Sequence, residues 1–311
     1  MYDTHDRLNV FMHRVPKPNH ISFTAQVAEG GGIMTKLPPI LVGKDFRAAS
    51  VFEPENLLRE ARRQRGLPSG KVPDICLLDP DGDIVRALGR AGRTHRSMDW
   101  ACYHTDLLEF EHGNEGFGII GCAVGASFAV LVAEQLFASG CRFLVSMTSA
   151  GQIVERAAPP YFVLIDRALR DEGTSYHYLP PAEFVAAEQR LVEAVASELA
   201  ASGQIVPRGA SWTTDAPFRE TAAAIESGRA HNILAVEMEA AGLYAFAQAR
   251  RKPVLCFAHV TNQMAVNEGD FGKGEADGSS GSLNVIAAAA RAWRRLAELD
   301  AGLADKGRSA E

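Results

Sequence analysis

Short apolar runs alternate with amphipathic segments along most of the 311-residue chain. A short apolar run bounded by turn residues is typical of a buried strand, and apolar residues spaced three and four apart are typical of a helix. Gly113 and Asn114 separate two such runs and predict a tight turn between paired strands. The pattern predicts strands at 74–78, 107–111, 117–122, 142–147, 161–165, 209–212 and 254–260, and helices at 53–65, 82–88, 127–138, 180–201, 237–250 and 283–299.

This alternation predicts the fold class. Chains of this kind build a parallel or mixed sheet that helices cover on both faces. We therefore expect a single α/β domain at 71–300, preceded by a helical lead-in at 34–70 and followed by a tail at 301–311. Residues 1–33 have no clear periodicity, so we expect a disordered extension arm or a short strand packed on the domain. The glycine-rich segment 267–281 predicts a long loop.

Composition excludes several classes of protein. Lys and Arg number 32 against 38 Asp and Glu, whereas nucleic-acid binding needs a basic face. The five cysteines form no CxxC pair, so we expect reduced, mostly buried thiols and no metal site, with a nucleophilic Cys–His pair as the alternative. No apolar run reaches the ~18–20 residues of a membrane span, and the first residues lack the apolar core of a signal peptide. We predict a cytoplasmic protein without nucleic-acid or membrane partners.

Two carboxylates flank a methionine in the segment 235–241, AVEMEAA. We place this segment at the start of a helix, where the helix dipole favours ionised carboxylates at Glu237 and Glu239. A carboxylate can accept hydrogen bonds from two vicinal sugar hydroxyls, and the flexible thioether of Met238 can lie against a sugar ring. Taken alone, the segment is more typical of an acid-rich helix start.

A second segment, 212–221 (WTTDAPFRET), places an aromatic residue beside an arginine in a proline-containing loop. Phe218 can stack on a planar base, and Arg219 can donate hydrogen bonds to a carbonyl oxygen of that base. The alternative is a helix cap formed by Asp215 ahead of Pro217.

Two further segments are weaker when taken singly. The stretch 173–181 (GTSYHYLPP) is too polar and aromatic for a plain linker and makes His177 a candidate site residue. The stretch 121–127 (GCAVGAS) leads into a helix, where backbone N–H groups and Ser127 can bind an anion. It has neither a Walker lysine nor a GxGxxG spacing.

In order and spacing, these segments together resemble the nucleoside phosphorylase superfamily and, within it, the uridine phosphorylase branch. The resemblance covers about residues 74–296, and its most specific parts are Val236 to Glu239, the loop 213–221 and the segment 171–181. It implies an α/β domain on a twisted mixed sheet that is partly barrel-like and flanked by helices. It also implies a homo-oligomer, either a dimer or a hexameric ring of dimers.

The resemblance implies a pentosyltransferase of nucleotide salvage. Such an enzyme cleaves the N-glycosidic bond of a nucleoside with inorganic phosphate, yields free base and pentose 1-phosphate, and uses no other cofactor. It implies that Glu239 binds the ribose hydroxyls, with Glu237 and Met238 lining the sugar. It places Phe218 and Arg219 against the base, where Arg219 stabilises the leaving negative charge.

The resemblance also implies a phosphate site. Gly82 and Arg86 lie in a Gly-Asp-x-x-Arg stretch that is similar to the phosphate turn of the family. The other phosphate ligands that it implies are Ser149, Ser127 and, from a neighbouring subunit, Arg96.

Two departures from the family pattern leave the reaction open. Ser146 occupies the position of an expected phosphate-binding arginine, and Arg142 lies ~13 Å away along a strand. Hydrolysis by water, in a nucleosidase, and non-catalytic nucleoside binding therefore remain alternatives to phosphorolysis. Asn262 stands where purine-specific relatives carry an aspartate, so we expect it to contact a pyrimidine base.

Overall fold

The computed structural model describes residues 37–264 and 271–308. The chain divides into two compact units, Met1–Asp45 and Phe46–Glu311. Within the first unit, the described part contains a single turn of 3-10 helix at Pro39–Leu41. The extension arm predicted at 1–33 and the part of the predicted loop at 265–270 lie outside the described residues.

Strands and helices alternate along the second unit. The strands are β1 (Ile75–Asp79), β2 (His95–Arg96), β3 (Leu108–His112), β4 (Glu115–Gly121), β5 (Phe143–Gln152), β6 (Tyr161–Asp171), β7 (Phe184–Ala186), β8 (Arg208–Thr214), β9 (Ile233–Glu237) and β10 (Val254–Asn262). The helices are α1 (Pro54–Arg65), α2 (Asp83–Arg90), α3 (Ala126–Ala138), α4 (Ser175–Tyr178), α5 (Gln189–Ala201), α6 (Ala222–Ala230), α7 (Ala240–Arg250) and α8 (Ser279–Arg308).

The described strands join one mixed sheet. Its order is β10-β6-β8-β9-β5-β1-β4-β3-β2, with β7 paired to β6. An additional pairing of β10 with β5 closes β5, β10, β6, β8 and β9 into a ring, so this half of the sheet is a barrel. Strands β4, β1, β5 and β10 run parallel to their neighbours in this series. The predicted α/β class, with a mixed sheet partly closed into a barrel, is confirmed.

Two large apolar clusters pack against the two faces of the sheet. One cluster joins α3 and α7 to side chains that include Leu144, Ala258 and Val260. The other joins α5 and α8 to the alternate residues of the same strands, including Val145 and Phe257. Side chains on a strand point alternately to opposite faces, so a strand covered on both faces is apolar throughout. This explains why these strands have continuous apolar runs.

Several boundaries differ from the prediction made from the sequence. The helix predicted at 180–201 begins only at Gln189, because the Glu188 carboxylate caps it by accepting hydrogen bonds from the amides of Arg190 and Leu191. The residues before the cap form β7 instead. The loop predicted to end at residue 281 ends earlier, because α8 begins at Ser279.

The short strand β9 was absent from the predicted pattern. The helix was predicted at 237–250 with nothing assigned directly before it, whereas the structure has a strand that ends at Glu237 and a helix that begins at Ala240. The segment that carries Glu237 and Glu239 therefore spans a strand end and the first turn of a helix.

None of the helices in the described ranges combines the length and the apolar run that a bilayer span needs.

Candidate active site

Several of the predicted site residues lie near the carboxyl ends of the strands. The segments after β1, β4 and β5 meet at one edge, because these three strands run parallel. Strands β5 and β9 pair at their own carboxyl ends, through Gly151 with Val236 and Gln152 with Ala235. The barrel closure therefore brings the turn after β9, which contains Glu239, to the same edge. Ligands of α/β proteins commonly bind in the crevice at this edge.

Glu239 lies immediately before the first residue of α7 and is 1% exposed. Its Oε1 accepts a hydrogen bond of 2.7 Å from the Gly125 amide, at the residue that precedes α3. Its Oε2 has no hydrogen-bond partner among the described residues. One oxygen of a buried carboxylate is thus fixed by the protein, and the other remains able to accept a hydrogen bond.

Glu237 is equally buried, but all of its accepting positions serve the fold. Its Oε1 accepts from the hydroxyls of Ser211 and Thr213 on β8. Its Oε2 accepts from the amides of Glu239 and Ala240, each at 2.7 Å. These bonds hold the turn between β9 and α7 and thereby fix the backbone position of Glu239. The structure gives Glu237 a supporting role, while its predicted contact with the sugar stays a prediction.

The electrostatics of this pair differ from the expectation that both carboxylates stay ionised. Burial and, to a smaller extent, the neighbouring Glu237 carboxylate raise the pKa of Glu239 to about 8. The Gly125 amide and the nearby Thr148 hydroxyl oppose this increase in pKa. Burial also raises the pKa of Glu237. Desolvation therefore outweighs the helix dipole, which contributes only a modest stabilisation.

Gly82 and Arg86 form the turn between β1 and α2. Gly82 has φ +74°, and a Cβ there would lie 2.7 Å from Arg86 Nη1 and 2.9 Å from Cys122 Sγ, so only glycine fits. Arg86 Nη2 donates to the Asp81 carbonyl oxygen and to Asp83 Oδ1, each at 2.7 Å. The guanidinium predicted to bind phosphate is therefore beside the site, and it is held by acidic neighbours.

Ser149 and Asp81 are in direct contact. The Ser149 amide donates to Asp81 Oδ2 at 2.6 Å. Both residues line a small cleft of about 10 Å³. The other lining residues are Asp79, Asp83, Ile84, Met147, Thr148, His259, Asp277 and Ser282.

Ser146 is 1% exposed in the middle of β5, and its hydroxyl has no hydrogen-bond partner in the described part of the chain. It pairs with Leu78 on β1 and with Cys256 on β10. An arginine is absent from this position, so no guanidinium compensates the acidic residues at the strand ends from this side. Arg142 lies elsewhere, with its guanidinium 5.5 Å from the Trp293 ring.

The residues predicted to contact the base lie on the rim. Phe218 is 99% exposed on a short 3-10 helix at Pro217–Arg219, and Arg219 is also exposed. His177 is exposed on α4. Asn262 is buried at the end of β10, where its Oδ1 accepts from the Met264 amide. The structure does not bring Phe218 or Arg219 into contact with Glu239.

The remaining predicted residues have different positions. Met238 is half-buried beside Glu239, and Ser127 is exposed in the first turn of α3. Arg96 lies on the edge strand β2 and pairs with Asp106 at 2.5 Å. Its predicted contribution to a neighbouring subunit stays a prediction.

Several residues of the site were missed in the sequence, namely Thr148 beside Glu239, Ser211 beside Glu237 and Asp81 beside Ser149. The segments that contain Gly125 and Thr213 were singled out, but the contacts of these two residues with Glu239 and Glu237 were not predicted. The spacing of two between Ser211 and Thr213, at the end of the strand predicted at 209–212, was a usable signal, because it puts both hydroxyls on one face. The contact between Asp81 and Ser149 joins residues far apart in the chain, and no local pattern indicates it.

A larger cavity between described residues lies elsewhere. It measures about 790 Å³ and is lined at the opposite ends of the strands by residues such as Val254 and Arg142. None of the predicted site residues lines it, so volume alone does not locate the chemistry. Across the described ranges, no group of three His, Cys, Asp or Glu residues could hold a metal ion.

Comparison with known proteins identifies the family and the fold. The model of a family described as the phosphorylase superfamily matches residues 95–300. None of the curated proteins compared with the chain matches it. The solved structure of uridine phosphorylase from Vibrio fischeri ES114 is similar, with a TM-score of 0.56 and 18% identity over 71% of this chain and 90% of that chain. The same enzyme complexed with 6-hydroxy-1-naphthoic acid gives a TM-score of 0.58 and 17% identity over 73% and 92%.

The match of the family model over about two thirds of the chain defines the class. The chain belongs to the phosphorylase superfamily. Within that superfamily, the predicted resemblance to the uridine phosphorylase branch is confirmed at the level of the fold.

Proposed function

We propose that this protein cleaves the N-glycosidic bond of a nucleoside and transfers the pentose to inorganic phosphate. The observation that carries the proposal is the state of Glu239. One oxygen of its buried carboxylate is held by the Gly125 amide, and the other has no partner among the described residues. Such an oxygen is suited to accept a hydrogen bond from a ribose hydroxyl. Because Glu239 is 1% exposed, the sugar reaches it only when the covering residues move.

The raised pKa of Glu239 suits the chemistry. The breaking glycosidic bond leaves an oxocarbenium-like sugar with a positive charge. A nearby cation favours the ionised form of a carboxylate, so Glu239 would stabilise the charge as it forms. The interaction is stronger in the transition state than in the ground state, and such interactions accelerate a reaction.

The base would bind between the rim residues and the end of β10. Phe218 is free to stack, and Arg219 is exposed with no hydrogen bond or salt bridge from its guanidinium to the described residues, so its guanidinium can donate to the leaving base. Asn262 offers an amide rather than an acid, so it cannot protonate a purine. These features support a pyrimidine nucleoside as the substrate.

Phosphate would bind beside Gly82 and Arg86, with Ser149 and Ser127 near and Arg96 supplied by a second subunit of a homo-oligomer. The position of Arg86 supports this arrangement. Its guanidinium would have to exchange a bond to Asp83 for one to phosphate.

Hydrolysis is a second candidate, and the buried Ser146 favours it. A phosphate that enters a cleft needs several charge-assisted donors to offset its lost hydration. The serine supplies no charge where the family pattern has an arginine. Water has no such requirement, so a nucleosidase reaction fits this side of the site.

A panel of pyrimidine and purine nucleosides, assayed for free base with and without phosphate, tests the proposal. We expect base release that depends on phosphate. Arg86→Ala should remove that dependence, because it removes the main cation. Arg90→Ala is the matched control, since Arg90 lies one turn further along α2 and pairs with the exposed Asp277. Equal rates in phosphate-free buffer would establish hydrolysis, and no base release from any nucleoside would contradict both candidates.

A further inference from the structure

Asp81 holds a backbone donor that an incoming anion would need. Its Oδ2 accepts a hydrogen bond of 2.6 Å from the Ser149 amide, although 68 positions separate the two residues in the chain. We infer that Asp81 selects the acceptor of the reaction, because its carboxylate competes with phosphate for this amide. The inference rests on the proposed cleavage and adds the residue that controls which nucleophile enters.

The space beside Asp81 supports this inference. The cleft that it shares with Thr148, Ser149 and His259 measures about 10 Å³. A cavity of roughly 10–15 Å³ is near the minimum that holds one water molecule. Phosphate is several times larger, so it can occupy this position only if lining side chains such as that of Asp81 move.

The charges around the cleft also disfavour the binding of phosphate. Asp81, Asp83 and Asp277 line it, together with Asp79, whose pKa is raised by burial to about 7. The cations near it are already engaged, because Lys273 and Arg86 both pair with Asp83. A phosphate dianion therefore meets negative charges, and the donors near it already have acceptors. A water molecule can instead donate hydrogen bonds to acceptors on several sides of the cleft.

Asp81 differs from the other carboxylates of the cleft in its contact. Asp79 accepts from the Val85 amide at the start of α2, and Asp83 pairs with cations. Asp277 lies on the rim, is exposed and pairs with Arg90. Asp81 is the carboxylate that accepts a hydrogen bond from the amide of Ser149, and Ser149 is a predicted phosphate ligand.

Three variants separate the contact from the charge. Asp81→Ala removes both the charge and the acceptor. Asp81→Asn removes the charge and keeps an oxygen that can accept from Ser149. Asp277→Asn removes one charge from the rim of the same cleft and does not change the contact with Ser149. Phosphate affinity is measured by calorimetric titration with inorganic phosphate, and the phosphate KM is measured from base release.

We expect Asp81→Ala to lower the phosphate Kd and KM by at least about tenfold, which corresponds to about 1.4 kcal/mol. Asp81→Asn should give a smaller decrease, and Asp277→Asn a decrease of less than about threefold. If Asp81→Ala and Asp81→Asn leave both constants unchanged, or if Asp277→Asn matches Asp81→Ala, the inference is wrong. Circular dichroism and the melting temperature show whether each variant is folded. Asp81→Asn is the more conservative variant, because asparagine has nearly the same shape as aspartate.

The two readouts keep this inference distinct from the proposed function. Base release from no nucleoside, by any variant, would contradict the proposed cleavage. The calorimetric titration does not depend on turnover. It would still show whether removal of the Asp81 carboxylate opens the site to phosphate.

Discussion

At the scale of single residues, two neighbouring carboxylates have separate tasks. The sequence identifies Glu237 and Glu239 as candidates but treats them alike. The structure separates them by their partners, because among the described residues Glu237 accepts four hydrogen bonds and Glu239 accepts one. Donors to these carboxylates include the hydroxyls on β8 and the amide of the residue before α3, which are distant in the chain. A local pattern could therefore not indicate this division.

Replacement of Glu239 by glutamine should change how stability depends on pH. The pKa of Glu239 is raised to about 8 in the folded state, above its ordinary value of 4.5. Between these values the unfolded chain releases this proton first, so the free energy of unfolding falls as pH rises. Glu239→Gln removes this contribution, and the variant should lose less stability than the wild type between about pH 5 and pH 8. Urea unfolding at several pH values measures the difference, and parallel curves would count against the raised pKa.

Replacement of Glu237 by glutamine should lower the free energy of unfolding at neutral pH. A glutamine NH₂ group cannot accept, so the two donors on one side of the Glu237 carboxylate lose their acceptor, either the amides of Glu239 and Ala240 or the hydroxyls of Ser211 and Thr213. A buried donor without a partner costs ~1–3 kcal/mol. We expect the free energy of unfolding at neutral pH to fall by about that amount in Glu237→Gln and to show no such loss in Glu239→Gln. Equal stabilities of the two variants would contradict the division of tasks.

At the scale of elements, the contact between α3 and α7 sets the site geometry. Gly125 precedes α3, and Glu239 precedes α7, so their hydrogen bond depends on how closely the two helices pack. Gly242 on α7 permits that approach, because a Cβ there would lie 2.8 Å from Ala126 Cβ. The helix positions were largely predictable from apolar spacing, but this contact was not.

Gly242→Ala should therefore separate the two helices. We expect a loss of ~1–3 kcal/mol, typical of overpacking, together with slower base release as the bond between Gly125 and Glu239 lengthens. The matched control is Gly89→Ala in α2, where nothing lies within 4 Å of an added Cβ. That variant should gain up to ~1 kcal/mol from helix propensity. The melting temperature and the rate of base release are the readouts, and an unchanged Gly242→Ala protein would contradict the packing argument.

At the scale of the whole molecule, barrel closure assembles the site. Apolar runs and turn residues were enough to predict an α/β class with strands β1, β4, β5 and β10 close to their observed positions. The β9 strand was absent from the prediction, because its short apolar run lies directly before the helix predicted at 237–250. The pairings of β5 with β9 and of β10 with β5 connect distant segments, so only the folded chain shows that the turns after β1, β5 and β9 meet.

The same closure explains which site residues could be anticipated. Glu239, Gly82 and Arg86 belong to local motifs with their own spacing, and the structure places all three at the strand ends. Asp81 was missed because its significance comes from Ser149 on another strand. Motifs indicate candidates, whereas contacts between strands determine their tasks.

The most direct test of the central claim is the rate of base release by Glu239→Gln. Wild type, Glu239→Gln and the control Gly89→Ala are assayed on the best nucleoside of the panel, after circular dichroism has shown that all three are folded. We expect Glu239→Gln to release base on the order of 10²–10³ times more slowly than the wild type, because it removes a carboxylate that faces the developing positive charge. Gly89→Ala should match the wild type. A folded Glu239→Gln protein that releases base as fast as the wild type would contradict the account.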